Sequence, residues 1–202
     1  LHELERRVID YKDFLDLSLP MKQPGMHNRM NAAAALAVAK LEKIDSDSAK
    51  QAVGDFAGVW RRFEFKGTVN SAPVYDDYGH HPTEISATIA GVRELYPDKR
   101  VVVAFEPHTY SRTHALFDRF AKALGAADEV LLLPIYAARE ENESGVSSRE
   151  LSVKLLEYVK ESSYQESFET AEAYLRGTLD ENAVLVVMGA GTITKLAHFL
   201  TK

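Results

Sequence analysis

Two short stretches of the chain concentrate groups that can accept protons, hold anions or fix hydroxyls. They are Asp76-Asp77-Tyr78-Gly79-His80-His81-Pro82 and Glu106-Pro107-His108-Thr109-Tyr110-Ser111-Arg112. Asp77 could accept two hydroxyl hydrogen bonds, as a carboxylate holding a ribose does, or it could cap a helix from a strand-to-helix turn. The tandem His80-His81 before Pro82 offers either a proton acceptor near neutral pH or an N-cap. Arg112 falls where a helix begins, a poor place for a cation facing the positive end of a helix dipole. Its guanidinium is therefore expected to aim at an anion or a carboxylate, the alternative being a surface salt bridge. Asp76, His80 and His108 could meet at a metal, but no HExxH or comparable ligand spacing accompanies them, so no metal is assigned. Gly189-Ala190-Gly191 suits close backbone approach to a ligand, and equally a tightly packed turn. No G-x-x-x-x-G-K-[ST] phosphate loop occurs in the 202 residues, so a phosphate cradle for ATP would have to lie elsewhere.

The elements that must position these groups follow from hydrophobic periodicity. From residue 70 onward, short β-branched runs alternate with amphipathic ones. Strands are expected at Pro73–Asp77, Arg100–Phe105, Glu129–Leu133, a weak Tyr164–Phe168, and Ala183–Met188. Helical spacing follows Pro82 (Ile85, Ile89, Val92, Leu95) and recurs at Leu116, Phe117, Phe120 and Leu124. Ser147-x-x-Glu150 forms a capping-box pattern opening a helix to Val159, and Thr192–Leu200 closes the chain as another. Such alternation implies crossover connections and a mainly parallel sheet covered on both faces, an α/β, Rossmann-like, doubly wound domain. In an open sheet of this kind, ligands bind beyond the carboxyl ends of the strands. The two polar stretches, Tyr136–Glu140 and Gly189–Gly191 would then share one rim.

The first part of the chain reads differently. Leu1, Leu4, Val8, Tyr11 and Leu15 suggest a helical stripe, whereas Leu15–Leu19 alternates like a strand, so residues 1–25 stay unassigned. An Ala-rich helix spans His27 to Leu41, and a second runs from about Ser46 to Phe56. Gly58–Val69 carries mixed charge, and a domain boundary is placed there, separating residues 1–57 from 58–202.

Composition narrows the function classes. With 24 Lys+Arg against 30 Asp+Glu the net charge is −6, and no Lys/Arg-dense run offers the electrostatic footprint that nucleic acid requires. The absence of cysteine removes disulfides, thiolate metal sites and a cysteine nucleophile. No run of about 18 apolar residues is present to cross a membrane, and the opening residues contain no apolar signal core. A cytoplasmic location is expected, with neither nucleic acid nor membrane as a partner.

Five segments follow one another as in a known family: Gly25-Met26-His27-Asn28-Arg29-Met30-Asn31-Ala32, Arg61-Arg62-Phe63-Glu64, Asp76 to Glu84, Phe105 to Thr113, and Gly189-Ala190-Gly191. Over about residues 20 to 202 the chain resembles the Mur ligases of peptidoglycan synthesis, and within them the branch that joins L-alanine to UDP-N-acetylmuramate. The resemblance implies a three-domain enzyme of which residues 1–57 are the last helices of the central ATPase domain and 58–202 the amino-acid-binding domain. The N-terminal and central domains would be the missing partners, and this part alone would be inactive for want of the phosphate loop. The implied reaction uses ATP and Mg2+ to activate the muramyl carboxylate as an acyl phosphate, which the L-alanine amine then attacks.

By the same resemblance, His27, Asn28 and Asn31 lie on the adenine side of ATP, Arg62 approaches the nucleotide and Asp77 binds the ribose. Tyr78, His80, His108 and Arg112 receive the amino acid, and no residue of this part is assigned a catalytic role. Asn28 could alternatively cap the Ala-rich helix. Two positions depart from the pattern: Thr109 stands where many members carry a second arginine, and Glu106 where glutamine is common. The competing readings are a sister ligase, either of the peptidoglycan-recycling type that adds a tripeptide or folylpolyglutamate synthase-like, and a stand-alone nucleotide- or amino-acid-binding module. His80-His81 together with the Pro107–Arg112 stretch argues against the sister ligases.

Overall fold

The computed structural model describes residues 9–202, which fall into two compact units, one ending at Gly58 and the other spanning Val59–Lys202. Leu1, Leu4 and Val8 of the suggested helical stripe lie outside the described residues. Tyr11–Phe14, within the same segment, forms a single 3-10 turn.

The first unit is built on two helices. α1 (Met26–Leu41) starts after Gly25, whose φ of 94° favours glycine, and buries Ala32, Ala33, Leu36 and Ala37. Its small side chains allow close approach of its neighbours. α2 (Ser46–Asp55) is capped by the Asp45 side chain, which accepts from the Ser48 amide at 2.9 Å.

The second unit is a six-stranded sheet. Its strands are β1 (Glu64–Val69), β2 (Ala72–Asp77), β3 (Arg100–Phe105), β4 (Glu129–Leu132), β5 (Glu161–Tyr164) and β6 (Ala183–Met188), in the spatial order β1-β2-β6-β3-β4-β5. β1 pairs antiparallel with β2, and every other pairing is parallel. The helices are α3 (Pro82–Leu95), α4 (Tyr110–Ala115), α5 (Phe117–Leu124), α6 (Ser148–Leu155), α7 (Phe168–Thr178) and α8 (Thr194–Leu200).

Successive side chains on a strand point to opposite faces, and the core divides accordingly. Val101, Val103, Phe105, Val184 and Val186 pack with Ile85 and Ile89 of α3, Phe120 and Leu124 of α5, and Leu151 and Leu155 of α6. Val102, Ala104, Leu185 and Val187 pack with Ala171 and Leu175 of α7 and Leu196 and Leu200 of α8. Burial on both faces explains why these strands read as continuous apolar runs. This is the α/β, mainly parallel, two-sided architecture expected from the sequence.

Several elements differ from the sequence expectation. Gly58–Val69, read as a boundary region, contains β1, an edge strand that leaves Phe65 exposed while Glu64 and Lys66 are half-buried, with a bulge between Phe65 and Gly67. The weak strand at Tyr164–Phe168 lies at Glu161–Tyr164 instead, and Phe168 opens α7. A Ser167 cap accepting from the Thr170 amide decides that helix start. The final helix begins at Thr194, and Leu116 (φ −117°, ψ 18°) breaks the segment after β3 into α4 and α5. Among the described residues no helix is long and apolar enough to cross a membrane.

β6, the last strand, inserts between β2 and β3. The direction of winding reverses at that point, the place at the carboxyl ends of β2, β6 and β3 where open sheets of this kind take their ligands.

Candidate functional site

The rim at these strand ends is built in two layers, and the lower one is a buried polar network. Asp76, fully buried at the end of β2, is paired with Arg61 at 3.3 Å and accepts from the Thr194 hydroxyl at 2.5 Å. Arg61 is itself 3% exposed and holds a left-handed φ of 54°. Its guanidinium donates to the carbonyls of Gly189 and Gly191, the latter at 3.4 Å, and lies 5.1 Å from the Tyr78 ring centroid. One cation thereby ties the turn after β6 to the end of β2.

Glu106, at the end of β3, accepts from the Thr192 hydroxyl and the Ile193 amide, both at 3.1 Å. Burial raises its pKa, against those hydrogen bonds and the charge of Arg61. A Cβ at Gly191 would collide with the Glu106 carboxylate and the Tyr136 ring, and Gly189 has a φ of 147°. The Gly189–Gly191 turn is therefore filled by its own chain, in keeping with the tight-turn reading of that segment.

Asp77 belongs to the lower layer as well. Its carboxylate accepts from the amides of Phe63 at 2.8 Å and Gly79 at 2.7 Å, and from the Thr88 hydroxyl at 3.4 Å. Burial raises its pKa despite these donors. Three of its lone-pair positions are taken within the domain, which leaves little acceptor capacity for a ligand.

The upper layer carries the accessible groups. His81 is the N-cap of α3: its Nδ1 accepts from the Thr83 amide at 3.3 Å, and Glu84 completes the box by accepting from the His81 amide at 3.1 Å. The tandem histidines thus divide their roles, because His80 is left half-buried on the rim. His80 Nδ1 lies 3.1 Å from the Tyr78 carbonyl and 3.6 Å from Glu84, and its ring is 6.1 Å from that of His108. Arg62 is exposed, pairs with Glu84 at 3.6 Å and lies 5.6 Å from the Tyr78 ring centroid. Of the adjacent arginines, Arg61 is structural and Arg62 is open to solvent, a distinction the motif alone does not carry.

The loops after β3 and β4 form the other half of the rim. His108 bridges Tyr136 in parallel, with ring centroids 5.4 Å apart. Its Nδ1 is buried without a hydrogen-bond partner, and burial followed by the charges of Arg112 and His80 lowers its pKa, favouring neutral imidazole at pH 7. Thr109 holds φ 70° and ψ 141°. Arg112 is half-buried, with Nη1 3.5 Å from the His108 carbonyl. Glu140 accepts from the Ser111 hydroxyl at 2.6 Å and amide at 2.8 Å. Tyr78, His80, His108 and Arg112 therefore come to one rim; Tyr136 and Glu140 join it as the loop after β4 suggested, whereas the structural roles of Arg61, Tyr136 and Glu140 are not assigned by the sequence.

His27, Asn28 and Asn31 lie in the first unit. Asn28 and Asn31 line a cavity of about 350 Å³ with Met21, Gln23, Ala32, Ala35, Ala52, Val53 and Phe56, and His27 is exposed on the first turn of α1. Asn28 Nδ2 donates to the Pro24 carbonyl at 2.8 Å, a link that steadies the start of the helix. A mostly apolar lining with a few amide groups suits a flat heterocycle. Among the described residues no group of three or more His, Asp or Glu could hold a metal ion.

The model of the Mur ligase, glutamate ligase domain matches residues 61–191, about two thirds of the chain. The chain belongs to the Mur ligase family. It is 45% identical over 193 residues to a UDP-N-acetylmuramate--L-alanine ligase of Acidithiobacillus ferrooxidans, covering 95% of this chain and 41% of that protein. It is 46% identical over 179 residues to the protein of the same name from Lachnospira eligens, covering 89% and 39%. Among solved structures, the UDP-N-acetylmuramate-alanine ligase MurC of Thermotoga maritima superposes with a TM-score of 0.74 at 30% identity, over 89% of this chain and 38% of that one. The chain spans about two fifths of the length of the curated relatives it matches. The Mur ligase match begins at Arg61 and ends at Gly191, the residues joined by the buried guanidinium.

Proposed function

We propose that this chain is the C-terminal part of an ATP-dependent amide ligase that joins L-alanine to UDP-N-acetylmuramate in cell-wall synthesis. The observation that carries the reading is the extent of the likeness to the alanine-adding relatives, 45% identity over 95% of the chain. In this reading the rim of the second unit receives the amino acid. Arg112 pairs with the alanine carboxylate, and Tyr78, His80 and His108 border it. A neutral His108 leaves the guanidinium as the main positive charge that an incoming carboxylate meets on this side of the rim.

Arg62, Asp77, His27, Asn28 and Asn31 are assigned to the nucleotide. The apolar cavity flanked by Asn28 and Asn31 supports the adenine assignment in the first unit. Asp77 supports a ribose through its remaining lone pair alone, and it shapes the loop that presents Tyr78 and His80. The residues described here do not form a cage for Mg2+, so no step is assigned to a metal held by this chain; Mg2+ would arrive with the nucleotide or be held by the remaining length of the ligase. The UDP-N-acetylmuramate site and the phosphate cradle are likewise assigned to that remaining length. A cytoplasmic location follows from this reading, since the substrates it names are soluble nucleotide and amino-acid compounds.

The ligase carrying this chain at the full length of its relatives should release phosphate from ATP in the presence of UDP-N-acetylmuramate and L-alanine. Turnover with a tripeptide in place of L-alanine would favour the recycling enzyme instead. Arg112→Ala should raise the KM for L-alanine about 10- to 100-fold, the loss expected for one charge-assisted contact. An unchanged alanine KM would remove Arg112 from the carboxylate site.

A further inference from the structure

The loops after β3 and β4 are bound together more closely than two connections need to be. The Tyr136 amide donates to the Pro107 carbonyl at 2.8 Å, and the Thr109 amide donates to the Tyr136 carbonyl at 2.9 Å. Four residues further on, both oxygens of Glu140 are engaged by Ser111, one by its hydroxyl and one by its amide. Thr109, held by the first grip and two residues before the second, sits at φ 70° and ψ 141°, close to a region that only glycine visits freely. A β-branched residue stays there when its surroundings impose it. The strain therefore records a loop shape enforced from the β4 side.

That enforced shape sets Arg112. It follows Ser111 directly in the first turn of α4, and its guanidinium reaches back to the His108 carbonyl. One grip thus acts beside the backbone of Arg112 and the other acts beside the carbonyl that its side chain touches. Arg112 is also among the charges that favour the ionised form of Glu140, after the hydrogen bonds from Ser111. The carboxylate and the guanidinium lie within electrostatic reach of each other without forming an ion pair.

We infer that Glu140 is a positioning residue for the amino-acid subsite: by clamping Ser111 it fixes the first turn of α4 and aims Arg112 at the carboxylate of the incoming amino acid. Glu140 itself does not touch the substrate. The inference rests on the reading of Arg112 given above. It differs from a surface loop tie, which would contribute to stability and leave substrate affinity unchanged.

The test uses the full-length ligase and compares Glu140→Ala, Glu140→Gln, Arg112→Ala and the double variant Glu140→Ala with Arg112→Ala. Melting temperature, kcat and KM for both L-alanine and ATP are measured for each. Glu140→Ala should raise the alanine KM about 10-fold while kcat and the ATP KM stay within about twofold of the parent. Glu140→Gln should recover most of the affinity, because its amide oxygen still accepts from the Ser111 amide and its NH2 group can donate to the Ser111 hydroxyl. In the Arg112→Ala background, Glu140→Ala should add nothing, since its effect passes through Arg112.

A parental alanine KM in Glu140→Ala overturns the inference. So does an equal KM increase in both backgrounds, or a common shift of both KM values with a fall in melting temperature. If Arg112→Ala alone leaves the alanine KM unchanged, the underlying assignment of Arg112 fails, and that result is distinct from the others. Should Glu140→Ala not fold, Ser111→Ala removes the hydroxyl half of the clamp and is read by the same criteria, with about a 3-fold rise expected.

Discussion

Glu106 and Thr109 lie close together in the loop after β3, and substitution of either is expected to stabilise the fold, each for a different physical reason. The pKa of Glu106 is raised by burial, so the folded state binds a proton more readily there than the unfolded chain does. Stability then falls as pH rises from the unfolded carboxylate value towards the folded one, and the penalty is complete above it. Glu106→Gln can keep an acceptor for the Ile193 amide and offer a donor to the Thr192 hydroxyl. It should therefore melt higher than the parent at pH 7 to 8, with the advantage vanishing near about pH 4, where the unfolded carboxyl is protonated too. Thermal melts across that range check the sign. Thr109→Gly should also raise stability, by about 1 kcal/mol, because it releases a positive-φ strain that exceeds the added freedom of glycine in the unfolded chain. The two bonds that Thr113 makes to Thr109 use the backbone carbonyl and survive the change. Urea unfolding of both proteins measures the difference, and a less stable Thr109→Gly would mean that the conformation is not strained.

Legibility varied between elements for identifiable reasons. Arg100–Phe105 and Ala183–Met188 could be read directly because strands buried on both faces leave unbroken β-branched runs. β1 could not, since an edge strand with one wet face and a bulge between Phe65 and Gly67 loses the alternation that marks a strand. The strand ends at Tyr164 because Ser167 caps α7 and makes Phe168 its first helical residue, whereas the Ser147–Glu150 box is visible in the sequence and present in the structure. The rim was legible as a set of loops at strand ends, from topology alone. Which side chains are buried within it was not, because Arg61 and Arg62 are chemically identical neighbours and only the fold separates them. The same holds for His80 and His81, and it can be tested at the level of the helix they precede. His81→Ala removes the cap of α3 and should cost about 1 kcal/mol of stability. His80→Ala, which removes no cap, should be close to neutral by the same denaturant titration.

For the molecule as a whole, both halves of the sheet core lie between Phe63 and Leu200, entirely inside the second unit. Residues 59–202 should therefore fold without the first 58, with a single cooperative melt, and a broad or absent transition would show that the core depends on the first unit. The same unit also limits how its sheet can be extended. One margin is β1, bent by its bulge and crowded at Gly67 by Thr201. The other is β5, four residues long and mostly polar, Glu161-Ser162-Ser163-Tyr164. Neither margin offers the long, flat, apolar row of free amides and carbonyls on which another chain could template itself. The second unit thus closes both sides of its sheet to self-propagating assembly while its polar rim lies at the strand ends.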